Sequence, residues 1–152
     1  MDEQATIESK GQEMNRGKGG GGAGGNPPTQ ITVIVNPGNP NGKEVGCGFG
    51  VAPPQYYQDG AIWLDAGQDY DIKFRIAAAN GVNGWATAPF GNQSGLGCPA
   101  ATQGPTPPFG QGAAGGGPAD MTVEVRSPAR SLNSYRLNFN NGYYCDPIIV
   151  VG

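Results

Sequence analysis

Near the C-terminus Tyr135, Leu137 and Phe139 alternate with Arg136, Asn138 and Asn140, and Asn141-Gly142 then leads into Tyr143-Tyr144-Cys145 and an apolar finish. Alternation of apolar and polar residues sets one side of an extended chain on a core and the other in water. An Asn-Gly step tolerates the positive φ that a type I′ turn requires at both central positions. The segment therefore predicts a β-hairpin and, with it, an antiparallel β domain. It points to no reaction.

Other segments repeat the pattern. Ile31 to Val35 is rich in β-branched residues and runs into Asn36-Pro37-Gly38, and Asn36 to Gly42 reads as turn chemistry throughout. From Val45 to Val51 glycine occupies alternate positions, which gives one apolar face and one bare face suited to close approach by another backbone or a loop. Ala61 to Leu64 and Tyr70 to Ile76 follow, the latter with Tyr70, Ile72, Phe74 and Ile76 on one side and Asp71, Lys73 and Arg75 on the other. Met121, Val123 and Val125 repeat that alternation. After the hairpin, Asp146-Pro147 breaks pairing and Ile148 to Val151 resumes it, which suits an edge or a bulge because proline has no N–H to donate.

These runs predict an all-β, antiparallel β-sandwich of about seven strands over residues 30–152. The expected core is Ile31, Val33, Val35, Phe49, Trp63, Ile72, Phe74, Ile76, Val123, Val125, Leu137, Phe139, Ile148 and Val150. The chain has 152 residues, enough for one domain with a two-layer core. It holds 28 Gly and 14 Pro, and these concentrate in two places. Residues 1–29 read as a flexible Gly-rich tail, since glycine runs lose too much backbone entropy to order alone. Residues 77–120 read as a long Gly/Pro-rich loop in which Trp85 to Ala88 offers one more strand. Within it Pro89-Phe90-Gly91 is echoed by Pro108-Phe109-Gly110, too little to define a repeat.

A net charge of -3 gives no basic footprint, so neither nucleic acid nor an anionic membrane is an expected partner. No apolar stretch is long enough to span a bilayer and the first ten residues are polar, which predicts a cytoplasmic product. The three cysteines, Cys47, Cys98 and Cys145, are widely spaced and odd in number, which favours reduced thiols over one long-range bridge with a third thiol left over. The chain contains no histidine. Serine and cysteine hydrolysis through an imidazole base, and histidine-bound metal centres, are thereby excluded unless another chain supplies the residue.

The remaining motifs dissolve on inspection. Gly11 to Gly19 has the wrong spacing for a phosphate loop and glycine where a hydroxyl must hold magnesium. Ser94 lacks a nucleophile-elbow spacing and a base, and Asn92-Gln93-Ser94 is a glycosylation sequon in form alone. Asp65, Asp69 and Asp71 match no complete cation loop and read as solvated carboxylates. No catalytic residue, metal or cofactor is expected. The positive candidates are aromatic: Trp85, Phe90, Phe109, Tyr56 and Tyr57, placed in loops or at strand ends where a ring serves as a platform for a sugar or a partner protein. For Trp85, among Gly and Asn, core packing and display are equally suited, whereas Trp63 within an apolar strand suits the core.

The closing segment, an aromatic-alternating strand, a turn, paired tyrosines and Asp146-Pro147-Ile148-Ile149, resembles the C-terminal end of small bacterial β-sandwich proteins of the AidA/PixA inclusion-body family. The resemblance implies an intracellular, non-catalytic protein able to accumulate or self-associate. The expected function is accordingly a non-enzymatic binding or self-assembling β-sandwich protein, with a protein partner or itself as ligand and the 77–120 loop as its recognition surface. The alternative is a carbohydrate-binding module using exposed aromatics.

Overall fold

A computed structural model describes residues 27–94, 104–111 and 120–152. The expected tail lies outside this range as far as residue 26, as do residues 95–103 and 112–119 of the expected loop. Among the described residues the protein is all-β. Eleven strands are joined in one mixed sheet: β1 (Thr29–Asn41), β2 (Glu44–Ala52), β3 (Tyr57–Gln58), β4 (Ala61–Leu64), β5 (Tyr70–Ile76), β6 (Trp85–Ser94), β7 (Phe109–Gln111), β8 (Asp120–Val125), β9 (Ser131–Phe139), β10 (Tyr144–Cys145) and β11 (Ile148–Val151). A single 3-10 turn occupies Pro54–Tyr56. No helix among the described residues is long and apolar enough to cross a membrane.

The C-terminal hairpin forms as expected. Leu137 pairs with Cys145 and Asn138 with Tyr144. Asn141 (φ 63°) and Gly142 (φ 78°) are the two left-handed positions, and the Tyr143 N–H donates to Asn140 O at 3.4 Å. This is the sign pattern of a type I′ turn, and it lets the right-handed twist of the two strands continue through the connection.

Strand β9 organises the molecule. Along one edge it pairs with β11 (Ser131↔Val151 to Ser134↔Ile148) and then with β10, the two being separated by the Asp146-Pro147 break. Along its other edge it pairs with β6 from Asn133↔Ser94 to Phe139↔Trp85, through a bulge. Beyond β11 lie β4 and then β3. The second group is ordered β2-β1-β5-β8-β7. One pair of residues, Tyr144 and Glu44, joins the two groups.

Three of the pairings are parallel, β1 with β5, β4 with β11 and β2 with β10, so the sheet is mixed rather than wholly antiparallel. Eleven strands among the described residues replace the expected seven or so. Part of the difference arises in residues 77–120, where the strand offered by Trp85 to Ala88 extends to Ser94 and Phe109–Gln111 adds another. Strand β6 carries Pro89 and little β-branched sequence, yet it forms because β9 offers it a full-length partner. Tertiary pairing overrides local propensity.

The echo of Pro-Phe-Gly resolves into contact: Phe90 on β6 and Phe109 on β7 are both buried, with ring centroids 5.9 Å apart. Phe74 on β5 lies 6.0 Å from Tyr135 on β9 and 6.4 Å from Phe90, so buried rings of the two strand groups meet in one core. Tilted ring pairs of this spacing add to the burial of their apolar area.

Strand β1 runs past Val35 instead of turning at Asn36. Its neighbour β5 is matched only as far as Val35↔Ile76, so the missing N–H groups of Pro37 and Pro40 interrupt no ladder on that side. A bulge between Pro37 and Pro40 absorbs Gly38, and the chain reverses only at Gly42-Lys43. The alternate glycines of β2 are not a close-packed face. Gly46 has nothing within 4 Å of a built Cβ, and Gly48 and Gly50 meet neighbours only at 3.9 Å. Close approach occurs at Gly38, where a Cβ would lie 2.5 Å from Gly46 O.

Ten of the fourteen expected core residues are buried, and four are corrected. Phe49 and Val150 are half-buried, and Trp63 and Ile148 are exposed. In β11 it is Ile149 and Val151 that face inward. Four consecutive apolar residues carry no alternation from which to read a face, and the partner strands chose the opposite one.

Candidate functional site

Three of the five aromatic candidates are core residues. Tyr56, Phe90 and Phe109 are 3%, 0% and 3% exposed, which leaves no ring face for a ligand. Tyr56 stands edge-on to Tyr70 at 5.8 Å, and Phe90 packs on Tyr135 at 5.4 Å. Trp85 is half-buried with its ring 5.4 Å from Phe139, at the start of β6. Tyr57 is half-buried against Phe49 at 6.3 Å. The five are not brought together.

The surface that the structure does assemble lies on β4 and β11. Because Ile62 and Leu64 point into the core, Trp63 points out; because Ile149 and Val151 point in, Ile148 and Val150 point out. Parallel pairing sets Val150 beside Trp63, and antiparallel pairing sets Leu132 of β9 beside Val150. Trp63 is 40% and Ile148 41% exposed, the exposed large hydrophobics among the described residues. The Trp63 Nε1–H donates to Gln58 O at 2.8 Å, so the indole has spent its polar group on the backbone and holds a fixed orientation. From their apolar runs Trp63 and Ile148 are expected inside; their strand partners set the outward face instead.

A second locality is a cleft of about 350 Å³ at the junction of β2 and β10, lined by Glu44, Cys47, Phe49, Tyr57, Cys145 and Asp146 among others. Of these, Asp146 accepts from Arg136 Nε at 2.8 Å and Nη2 at 3.2 Å, and the Arg136 guanidinium lies 3.9 Å over the Tyr144 ring. Such a two-point guanidinium–carboxylate contact fixes both groups. Cys47 is half-buried, Cys145 is buried, and neither is in a disulfide. The neighbouring Cys47 thiol, as a hydrogen-bonding partner, and then burial push the Cys145 pKa well above the usual cysteine range.

The acidic residues do separate work. Asp69 Oδ1 accepts from the Ser127 N–H at 2.9 Å, and Asp71 accepts from Arg126 Nη2 at 2.7 Å and from Gln30 Nε2 at 3.1 Å. Among the described residues no three of Asp, Glu, Cys and His converge as a metal site would require. Searches of protein-family models, of curated proteins and of solved structures each return no match to this chain.

Proposed function

We propose that this is a non-enzymatic binding protein that associates through the outer face of β4 and β11, with a second copy of itself or another protein as partner. The carrying observation is the contiguous set Trp63, Val150, Ile148 and Leu132, a large aromatic and three aliphatics on adjacent strands pointing away from the core. Tryptophan and large aliphatics displayed together, with no charge among them, suit a desolvated contact. This face takes the place of the 77–120 region as the recognition surface, since Phe90 and Phe109 are committed to the core.

Two related readings belong with it. The two strand groups, joined at one residue pair and in contact through Phe74, Phe90 and Tyr135, are the two layers of a β-sandwich, in keeping with the AidA/PixA resemblance. Cytoplasmic residence is supported by two neighbouring thiols left unbridged. The glycan alternative rests on the same residue: an indole whose N–H is already satisfied presents its flat face for stacking on sugar C–H groups.

Light scattering across a concentration series separates the readings. Mass that rises with concentration in the wild type and stays monomeric in Trp63→Lys and Ile148→Lys supports protein association. Glycan-array binding lost in Trp63→Ala, with a monomeric wild type, supports the sugar platform. A monomeric wild type with no captured protein partner and a blank array would sink both.

A further inference from the structure

Cys47 and Cys145 lie 98 positions apart in the sequence, yet they line one cleft on adjacent strands, each within three residues of the Glu44↔Tyr144 pair. They belong to β2 and β10, the two strands whose Glu44↔Tyr144 pair is the hydrogen-bonded junction between the two strand groups. Their environments differ. Cys47 is half-buried on the cleft wall, whereas Cys145 is 3% exposed behind it. One thiol is therefore reachable by a small molecule and the other is placed to follow. The cleft also carries the carboxylates of Glu44 and Asp146, of which Asp146 is matched by Arg136 and Glu44 shows no ion pair among the described residues.

We propose that Cys47 and Cys145 form a thiol-oxidation site that takes a small disulfide as oxidant and closes to an intramolecular disulfide across the β2–β10 junction. Cys47, after losing its proton to solvent, attacks one sulfur of the small disulfide; the S–S bond of the oxidant breaks and one half leaves as a thiolate. Cys145 then attacks the Cys47 sulfur, its proton passing to the departing sulfur, so that the mixed disulfide breaks and the second half leaves as a thiol. Two protein thiols are oxidised and the oxidant is reduced to two thiols, so electrons and protons balance. The acidic wall at Glu44 selects a cationic disulfide over an anionic one. The product adds a covalent link beside the one residue pair through which the ladders of the two groups connect.

The test uses the full-length chain and cystamine as the cationic probe, with oxidised glutathione as the anionic one. Tryptic cleavage after Lys43, Lys73, Arg75, Arg126 and Arg136 places the three cysteines in different peptides, 44–73, 76–126 and 137–152. Mass spectrometry under non-reducing conditions should find 44–73 joined to 137–152, with a mixed adduct on 44–73 accumulating in Cys145→Ser. Reaction should be faster with cystamine relative to glutathione than for a free thiol, and Glu44→Gln should narrow that ratio. Because Cys145→Ser could disturb the core, the cross-link is also read in a Cys98→Ser chain, which leaves the proposed pair intact. Linkage of either peptide to 76–126 in the wild type, or stable adducts on both cysteines without a cross-link, would overturn the proposal. So would an unreacted pair after denaturation-controlled exposure to excess probe.

Discussion

Asn140 and Gly84 exchange hydrogen bonds in both directions: the Asn140 N–H donates to Gly84 O at 2.9 Å, and the Gly84 N–H donates to Asn140 Oδ1 at 3.0 Å. The same Oδ1 accepts from the Asn83 N–H at 3.1 Å. One side chain thus fastens the hairpin turn to the segment that enters β6. Asn140→Ala removes both side-chain acceptor contacts at a partly solvated position and is expected to cost about 1–2 kcal/mol of stability. Urea denaturation of the variant checks it, and hydrogen exchange should show faster opening at Gly84 than elsewhere in the sheet.

Gly38 and Gly46 should respond oppositely to a methyl group. At Gly38 a Cβ would sit 2.5 Å from a backbone oxygen that cannot swing aside, so Gly38→Ala should destabilise by about 1–3 kcal/mol. At Gly46 the space is open and φ is not left-handed, so Gly46→Ala should stay within about 0.5 kcal/mol of the parent. Thermal unfolding of the pair, measured side by side, decides whether the bulge brings these backbones together.

Phe90→Ala should act on folding rather than on recognition. The ring is fully buried among Phe74, Phe109 and Tyr135, and its loss is expected to cost about 3–5 kcal/mol. Trp63→Ala, on the outer face, should cost far less. A variant at Phe90 that kept full stability would contradict its place in the core.

Asp120 at the start of β8 receives two hydrogen bonds from Arg75, at 2.7 Å from Nε and 3.0 Å from Nη2. Those bonds lower the carboxyl pKa, helped by the charges of Arg75 and Lys73 and opposed by partial burial. A carboxyl whose folded pKa is depressed contributes stability above its unfolded value, near 3.9, and loses that contribution as pH falls through the lower folded value. Asp120→Asn should therefore lower the melting temperature at neutral pH, with the gap to the wild type closing in acid. A gap that persisted unchanged below both pKa values would show that the ion pair is not its source.

Iodoacetamide should label Cys47 before Cys145 in the folded protein. Cys47 is half-buried, while Cys145 is buried and its thiol is held protonated by its neighbour and by burial. Peptide-resolved alkylation at neutral pH measures the order, and addition of urea should abolish the difference.

Much of the scaffold is legible in the amino-acid sequence. Tyr70 to Ile76 reads as a strand because its charges fall on alternate positions, and it forms over those residues. The Asn141-Gly142 turn reads from backbone sterics alone. Less of the candidate site could be read. Trp63 sits in an apolar run of four, Ile148 heads another, and neither run carries a polar residue to mark its outer side. Strand β6 is half legible: Trp85 to Ala88 reads as a strand, but Pro89 and Gly91 weaken the local preference of its second half, and its stabilising partner β9 lies far along the chain.

The amino-acid sequence by itself determined that segments such as Tyr70–Ile76 would be extended and that Asn141-Gly142 would turn the chain, because side-chain period and left-handed turn residues act within a few positions. Only tertiary structure decided which faces turned inward on β4 and β11, that the two Pro-Phe-Gly segments would meet, and that Cys47 would find Cys145. Those outcomes depend on which strands pair and in what register, and pairing energy is supplied by residues far apart in the chain.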